Sequence, residues 1–278
     1  MKEAYTIADI EFLIATQHKD SLDFIKPIFH SLDVSKINIL IVNQTNESKL
    51  LVSPYPNIRV LNSFETGLSN SRNLALANAL GKIIVVADDD VSYLENTLKT
   101  IVEAHNLYQE AVVIQFQSQK NSKQLLKKYT KNTQNPASLL TILNCSSIEM
   151  TIKNIDFASQ NIKFDENFGI NATFGLGEEA LFLKKIKDFG KRIVFVSQTI
   201  VQHESETTSV KNSLQKNYYG FGAFYKQLFP KHHYLWLFLK MFFDLKQKKI
   251  KFKELPKAWK FAREGRNKLE TLTQKGNT

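Results

Sequence analysis

The sequence predicts an open α/β fold built on a mostly parallel sheet, and three observations carry that reading. Over the first 90 or so residues, short runs of aliphatic and β-branched side chains alternate with helix-period stretches, the pattern of βαβ units. One run, Ile83 to Ala87, is apolar at five consecutive positions, as in a strand covered on both faces. Three carboxylates, Asp88, Asp89 and Asp90, follow at its C-terminal end, where open α/β sheets bind ligands.

The elements follow in order. Ile10 to Thr16 reads as the first strand, and Ser21 to Ser31 as an amphipathic helix with Leu22, Ile25, Ile28 and Phe29 on one face. Ile37 to Val42 is the second strand, with Asn43-Gln44-Thr45-Asn46 as its polar turn, and Ile58 to Leu61 is a short third strand. In Glu65 to Asn73, Gly67 permits a sharp turn and Ser69 or Asn70 can cap; Leu74 to Leu80 completes a helix closed by Gly81. If the chain stays extended beyond Ala87, Asp88 and Asp90 point to one side about 6–7 Å apart and Asp89 to the other. Leu94 to Tyr108 reads as a helix and Ala111 to Phe116 as a strand. Lys120 to Asn135 is polar, basic and aperiodic, a loop or weak helix. Leu139 to Leu143 and Ile148 to Ile152 read as strands of a second, partly antiparallel layer. Glu178 and Glu179 open a helix running to about Phe189, where the macrodipole favours carboxylates, so a good helix start explains them as well as a functional role does. Arg192 to Val196 is a strand, and His203 lies in the loop after it.

Composition bounds the function. The chain has 278 residues, 43% hydrophobic and 23% charged, which is ordinary for a globular protein. A single cysteine, Cys145, excludes an intramolecular disulfide framework and a four-cysteine zinc site. No signal-peptide apolar core follows Met1 and no apolar run reaches 18 residues, so a cytoplasmic protein is expected. The net charge of +10 is uneven: 16 basic and 4 acidic residues from Lys211 onward give +12, leaving 21 and 23, or −2, before it. This asymmetry divides the chain into a near-neutral, catalytic-looking domain, 1–210, and a basic, helical C-terminal segment, 211–278, and it points to a polyanionic partner for the latter. Tyr234 to Phe243 is aromatic but too short to span a bilayer, and Lys246 to Lys268 is strongly basic. That combination suits an amphipathic helix in an anionic membrane interface, at the inner face of the membrane. It equally suits a helix packed on the catalytic domain with a solvated basic face.

Three like charges on one strand end repel, and hard carboxylate oxygens favour Mg²⁺ or Mn²⁺ as the neutralising cation. A Mg²⁺-dependent phosphoryl or nucleotidyl transferase would use the same device, but no glycine-lysine P-loop is present. A non-enzymatic polyanion or membrane binder built on the basic segment is the remaining class.

The motifs together resemble family 2 glycosyltransferases of the GT-A type, over about Ile10 to Ser209. Gly67-Leu68-Ser69-Asn70-Ser71-Arg72-Asn73 matches the family's Gly-x-x-x-Ala-Arg-Asn with Ser71 for alanine, and Asp88-Asp89-Asp90 matches its Asp-x-Asp. Gly177-Glu178-Glu179 matches its Gly-Glu-Asp-type motif, and His203 its downstream histidine. The resemblance implies a metal-dependent transfer from a nucleoside-diphosphate sugar, a UDP-sugar favoured, to a glycan or lipid-linked acceptor in cell-surface polysaccharide synthesis, inverting, with no nucleic acid partner. It implies Glu179, then Glu178, as the catalytic base. It implies Asp90, Asp88 and His203 around Mn²⁺ or Mg²⁺, and Thr16, Asn43, Gln44, Gly67, Arg72, Asp88 and Asp89 around the donor. One departure stands out: Asn43-Gln44 occupies the place where the family often carries an aspartate that bonds uracil.

Overall fold

The computed structural model describes residues 4–157, 159–204 and 213–275. The expected domain boundary at 210/211 lies outside the described residues.

Among the described residues nine strands form one sheet: β1 (Ile10–Gln17), β2 (Asn38–Gln44), β3 (Ile58–Ser63), β4 (Ile83–Asp88), β5 (Ser92–Tyr93), β6 (Ala111–Asn121), β7 (Gln124–Leu125), β8 (Met150–Lys153) and β9 (Arg192–Gln202). Their order is β3-β2-β1-β4-β8-β6-β9-β5, with β7 paired to β6. The β1–β2, β1–β4, β2–β3 and β6–β9 pairs are parallel; β8 runs antiparallel to both β4 and β6. The sheet thus grows outward from β1 to β3 and then restarts on the other side of β1 with β4. That reversal is the topological switch where ligands settle outside the carboxyl ends of the strands.

The apolar run of β4 behaves as its composition requires. Ile83, Val85 and Ala87 join one core with Phe12, Ile14, Ile39 and Ile41, while Ile84 and Val86 join the opposite core with Leu13, Leu40 and Val42. Helix α1 (Ile25–Ile28) and α3 (Thr97–Leu107) cover the first face. Helix α2 (Leu68–Asn78) and α5 (Glu178–Asp188) cover the second, through Ala75, Leu76, Phe182, Leu183 and Ile186.

Several elements differ from the sequence reading, each for a local reason. The helix expected over Ser21 to Ser31 shrinks to α1, four residues long, because Pro27 fits only a first helical turn. Helix α2 starts at Leu68 rather than after a Ser69 or Asn70 cap: Gly67, at φ +110°, makes the turn, Asn70 Nδ2 donates to the Thr66 carbonyl, and Ser69 Oγ donates to the Phe168 carbonyl. Leu139 to Leu143, read as a strand, is instead helix α4, with Ser138 Oγ accepting from Thr141 N at its N-cap. A five-residue apolar run fits either period, and the cap decides it. Lys120 to Asn135 is no weak helix: it carries β7 and then folds back, so that Lys127 pairs with the buried Glu149 at 2.9 Å. The second layer is absent as such, since β8 enters the main sheet between β4 and β6.

After β9 the described chain resumes as three helices, α6 (Leu214–Leu228), α7 (His233–Lys246) and α8 (Leu255–Lys275). Helices α6 and α8 touch backbone to backbone: a Cβ on Gly222 would collide with the Ala262 carbonyl, and one on Gly265 with the Tyr219 carbonyl. Ala223, Phe224 and Leu228 of α6 and Leu269 of α8 share a core with Phe168, Phe174, Ala180 and Leu181. The C-terminal helices are therefore packed on the α/β unit rather than tethered to it.

Candidate active site

The parallel register brings the strand ends level. Ala15 lies opposite Asp88 across β1–β4, and Thr16 and Gln17 lie opposite Asn43 and Gln44 across β1–β2. Beyond Asp88 the backbone turns instead of continuing extended, so the three aspartates diverge. Asp88 accepts from Arg72 at 3.2 Å on one oxygen and from Ser147 Oγ at 3.2 Å on the other. Asp89 accepts from the Thr16 hydroxyl and pairs with Lys19 Nζ at 3.1 Å. Asp90 faces His203, Oδ2 to Nε2 3.1 Å, and its carboxylate is half exposed. His203 is carried there by β9, and its backbone N–H bonds to the Gln119 carbonyl at 2.9 Å.

Arg72 joins the two acidic motifs. It sits on α2 and is buried; one terminal nitrogen donates to Asp88 and the other lies 3.4 Å from Glu178 and 3.3 Å from Glu179. Burial works against its charge, but the neighbouring acidic groups, Asp88 and then Glu179 foremost, outweigh that and hold the guanidinium protonated more firmly than usual. The two glutamates differ. Glu178 has a side chain 6% exposed against 19% for Glu179. Burial, reinforced by Glu179 and only partly countered by Arg72, pushes the Glu178 carboxyl up to about 8, so at neutral pH it carries its proton. Gly177, at φ +93°, turns the chain into α5, and Phe224 of α6 occupies the space its side chain would take.

These groups line one cleft of about 560 Å³: Thr16, Gln44, Arg72, the three aspartates, Glu178, Glu179 and His203 all border it. Gln44 borders it while holding the turn before α2, exchanging hydrogen bonds with Gly67 backbone groups at 3.0 and 3.3 Å and donating to Ser71 Oγ. Asn43 does not join them. It is fully buried, its Oδ1 accepts from Lys19 N at 3.1 Å, and its Nδ2 donates to the Lys19 carbonyl at 3.0 Å and to Asn62 Oδ1 at 3.1 Å. Its amide is spent on the loop after β1 and on a side chain of β3. Ser147 and Lys19 are site residues that sequence reasoning missed.

A divalent cation fits part of the expected ligand set. Among the described residues no three His, Cys, Asp or Glu side chains converge into a cage. Asp88, with both oxygens engaged by Arg72 and Ser147, stands apart from the Asp90–His203 pair. One carboxylate, with substrate phosphates and water in the remaining positions, is nevertheless a donor set that Mg²⁺ uses, and Asp90 can supply it.

A profile of glycosyl transferase family 2 matches residues 14–176, more than half of the chain. The chain belongs to glycosyl transferase family 2. The match spans the Arg72 helix and the aspartate-tipped strand and stops just before Gly177. Among solved structures, the glycosyltransferase fold is shared with S. aureus TarS 1–349, at 17% identity over 90% of this chain and 77% of that one, TM-score 0.58. The same TarS piece in complex with UDP-GlcNAc aligns at 16% identity over 91% and 79%, TM-score 0.59. A longer TarS structure aligns at 16% identity over 77% of this chain and 39% of that one, TM-score 0.53. No curated protein sequence matches the chain. The transferase thus has a GT-A α/β domain with its acidic cleft at the sheet's switch point and helices at its C-terminus.

Proposed function

We propose that this enzyme transfers a sugar from a UDP-sugar to a hydroxyl of a glycan or lipid-linked acceptor in cell-surface polysaccharide synthesis, by a single inverting displacement. The observation that carries the reading is Arg72, which ties the acid-tipped strand to the Glu178–Glu179 turn across one cleft. A donor diphosphate at the strand ends then lies on one side of the sugar and a base on the other. The bound nucleotide in the TarS complexes, UDP-GlcNAc in one and UDP in another, supports a uridine donor.

In this reading Glu179, the more exposed glutamate, accepts the proton of the attacking hydroxyl. Glu178, kept protonated by burial, contributes a neutral hydrogen-bonding wall rather than a second base. Arg72 fixes both glutamates relative to Asp88, and Gln44 holds the Gly67 turn that delivers Arg72. Thr16 and Lys19 orient Asp89 at the donor end. Mn²⁺ or Mg²⁺ held by Asp90 and His203 would act as a Lewis acid on the leaving diphosphate.

The test is a thermal-shift series with UDP, dTDP and GDP, each with and without Mn²⁺, followed by UDP-sugar turnover. UDP with Mn²⁺ is expected to raise the melting temperature most, because saturation at about 100 times Kd adds about 2.7 kcal/mol to stability. Asp90→Ala is expected to lose the Mn²⁺-dependent part of the shift and of turnover while remaining folded. Indifference of the wild type to all three nucleotides would sink the reading.

A further inference from the structure

Helix α7 has two apolar faces, and among the described residues only one is packed. Leu237 and Met241 are buried against the helices beside it, and Asp244 is buried in bonds to Lys240 and to Tyr218 Oη, the latter at 2.8 Å. The opposite face repeats at helical spacing: Leu235 is 57% exposed, Phe238 62% and Phe242 52%, with Leu239 at 36%. These positions i, i+3, i+4 and i+7 form a continuous stripe, and Phe243 widens it. A soluble monomer seldom leaves a contiguous apolar patch of more than a few hundred Å² uncovered.

Charge selects what covers it. At 100° per residue Lys246 falls in line with the stripe at its C-terminal end. The chain then exposes Lys248, Lys249, Lys251, Lys253 and Lys257 within the next eleven residues, around a Phe252 that is 80% exposed. None of these lysines makes an ion pair among the described residues. A second copy seated on the stripe in an isologous contact would set this lysine cluster against its own equivalent where the helices run parallel, or against the exposed Lys231 end where they run antiparallel, and neither supplies counter-charge. An anionic lipid surface offers the apolar stripe an acyl boundary and the lysines their counter-charge. The helix is 14 residues long, or about 21 Å at 1.5 Å per residue. No helix among the described residues is long and apolar enough to cross a membrane.

We propose that the Leu235–Phe238–Leu239–Phe242 stripe of α7 lies in the interface of an anionic bilayer, with Lys246 to Lys257 on the headgroups. The inference stands on the C-terminal helices alone and does not depend on which donor or acceptor the cleft takes. Helix α6 packs against both α7 and the Gly177 turn, through Tyr218 with Asp244 and Phe224 with Gly177. Docking therefore fixes the cleft at a set orientation to the surface, instead of leaving it on a flexible leash.

The experiment is co-sedimentation of the full chain with phosphatidylcholine vesicles and with vesicles that also contain phosphatidylglycerol, across a salt series. Wild type is expected to bind the anionic vesicles at least tenfold more tightly, with binding weakened but not abolished by salt. A Phe238→Ser/Phe242→Ser double variant should keep its melting temperature, since both side chains are exposed, yet lose at least tenfold in vesicle affinity and all of the salt-resistant part. Lys246, Lys248, Lys249, Lys251 and Lys253 changed together to Gln should lose the preference for phosphatidylglycerol. Wild type that ignores anionic vesicles overturns the proposal. So does a Phe variant that binds as wild type, or a wild-type dimer in sedimentation velocity that the Phe variant dissolves, which would assign the stripe to a second copy.

Discussion

Glu178 and Glu179 are neighbours in sequence with identical chemistry, and their surroundings, burial first, separate the roles proposed for them. The usual effect of a helix N-terminus is to favour the ionised carboxylate, but at Glu178 desolvation and the adjacent charge prevail. Substituting Gln at 178 imitates the protonated acid already present at neutral pH, so Glu178→Gln is expected to lose less than tenfold in turnover. Glu179→Gln removes the proposed base and should lose about 10²–10⁴-fold with UDP affinity retained; the reverse ranking would exchange the two roles. Linkage gives a second readout. A carboxyl whose folded pKa is raised contributes stability below its ordinary range and loses it as pH rises through the folded value, about 8. Wild type should therefore lose stability between about pH 4.5 and 8, and Glu178→Gln should flatten that slope in urea titrations. At this scale the sequence was informative where chemistry is local: Arg72, Asp88, Asp89, Asp90, Glu178 and Glu179 all border the cleft. It was silent on Ser147 and Lys19, which arrive at the aspartates through a 3₁₀ turn after α4 and a loop after β1. Their residue types carry no signal until the topology places them. Asn43 shows the opposite error, since its position at a strand end looked like a ligand contact, but two hydrogen bonds to the Lys19 backbone and one to Asn62 of β3 consume it.

Among elements, those with an unambiguous period were legible and those that tertiary partners decide were not. Strands β1 to β4 follow from apolar runs that both cores need, whereas α4 depends on a Ser138 cap and α1 on where Pro27 is tolerated. The α6–α8 crossing is the clearest case of a packing constraint invisible to periodicity. Gly222 and Gly265 are each ordinary mid-helix glycines in sequence, and each would cost about 1 kcal/mol relative to alanine in an isolated helix. Here they let two backbones touch, so alanine is expected to destabilise instead. Because the obstructing atoms are backbone carbonyls, which cannot rotate away, Gly222→Ala and Gly265→Ala should each lose about 1–3 kcal/mol through overpacking. Urea midpoints at unchanged m-value would measure it, and a gain in stability at either position would show that the helices stand further apart.

The whole molecule divides by charge but not by packing. The −2 and +12 portions meet in a core where Phe168, Phe174, Ala180 and Leu181 lie against Ala223, Phe224, Leu228 and Leu269. That core includes the helix carrying the candidate base, and Phe224 fills the space beside Gly177 itself. If the two portions were separate folding units, the C-terminal helices could melt while the sheet and cleft persisted. Shared burial of this kind argues for one cooperative transition. The chain supplies a natural test, because both tryptophans, Trp236 and Trp259, lie in α7 and α8. Trp236 stacks on Phe229 with centroids 4.6 Å apart and Trp259 on Tyr234 at 5.6 Å, so their emission reports the helices alone. Far-UV circular dichroism reports sheet and helices together. The two urea transitions are expected to coincide, and any nucleotide that binds the cleft should move the tryptophan midpoint by the same amount as the dichroism midpoint. A tryptophan transition that comes first and ignores the nucleotide would show that the helices are a separate unit. Coincident, equally shifted transitions would mean that whatever anchors the helices is mechanically continuous with the turn that presents Glu179.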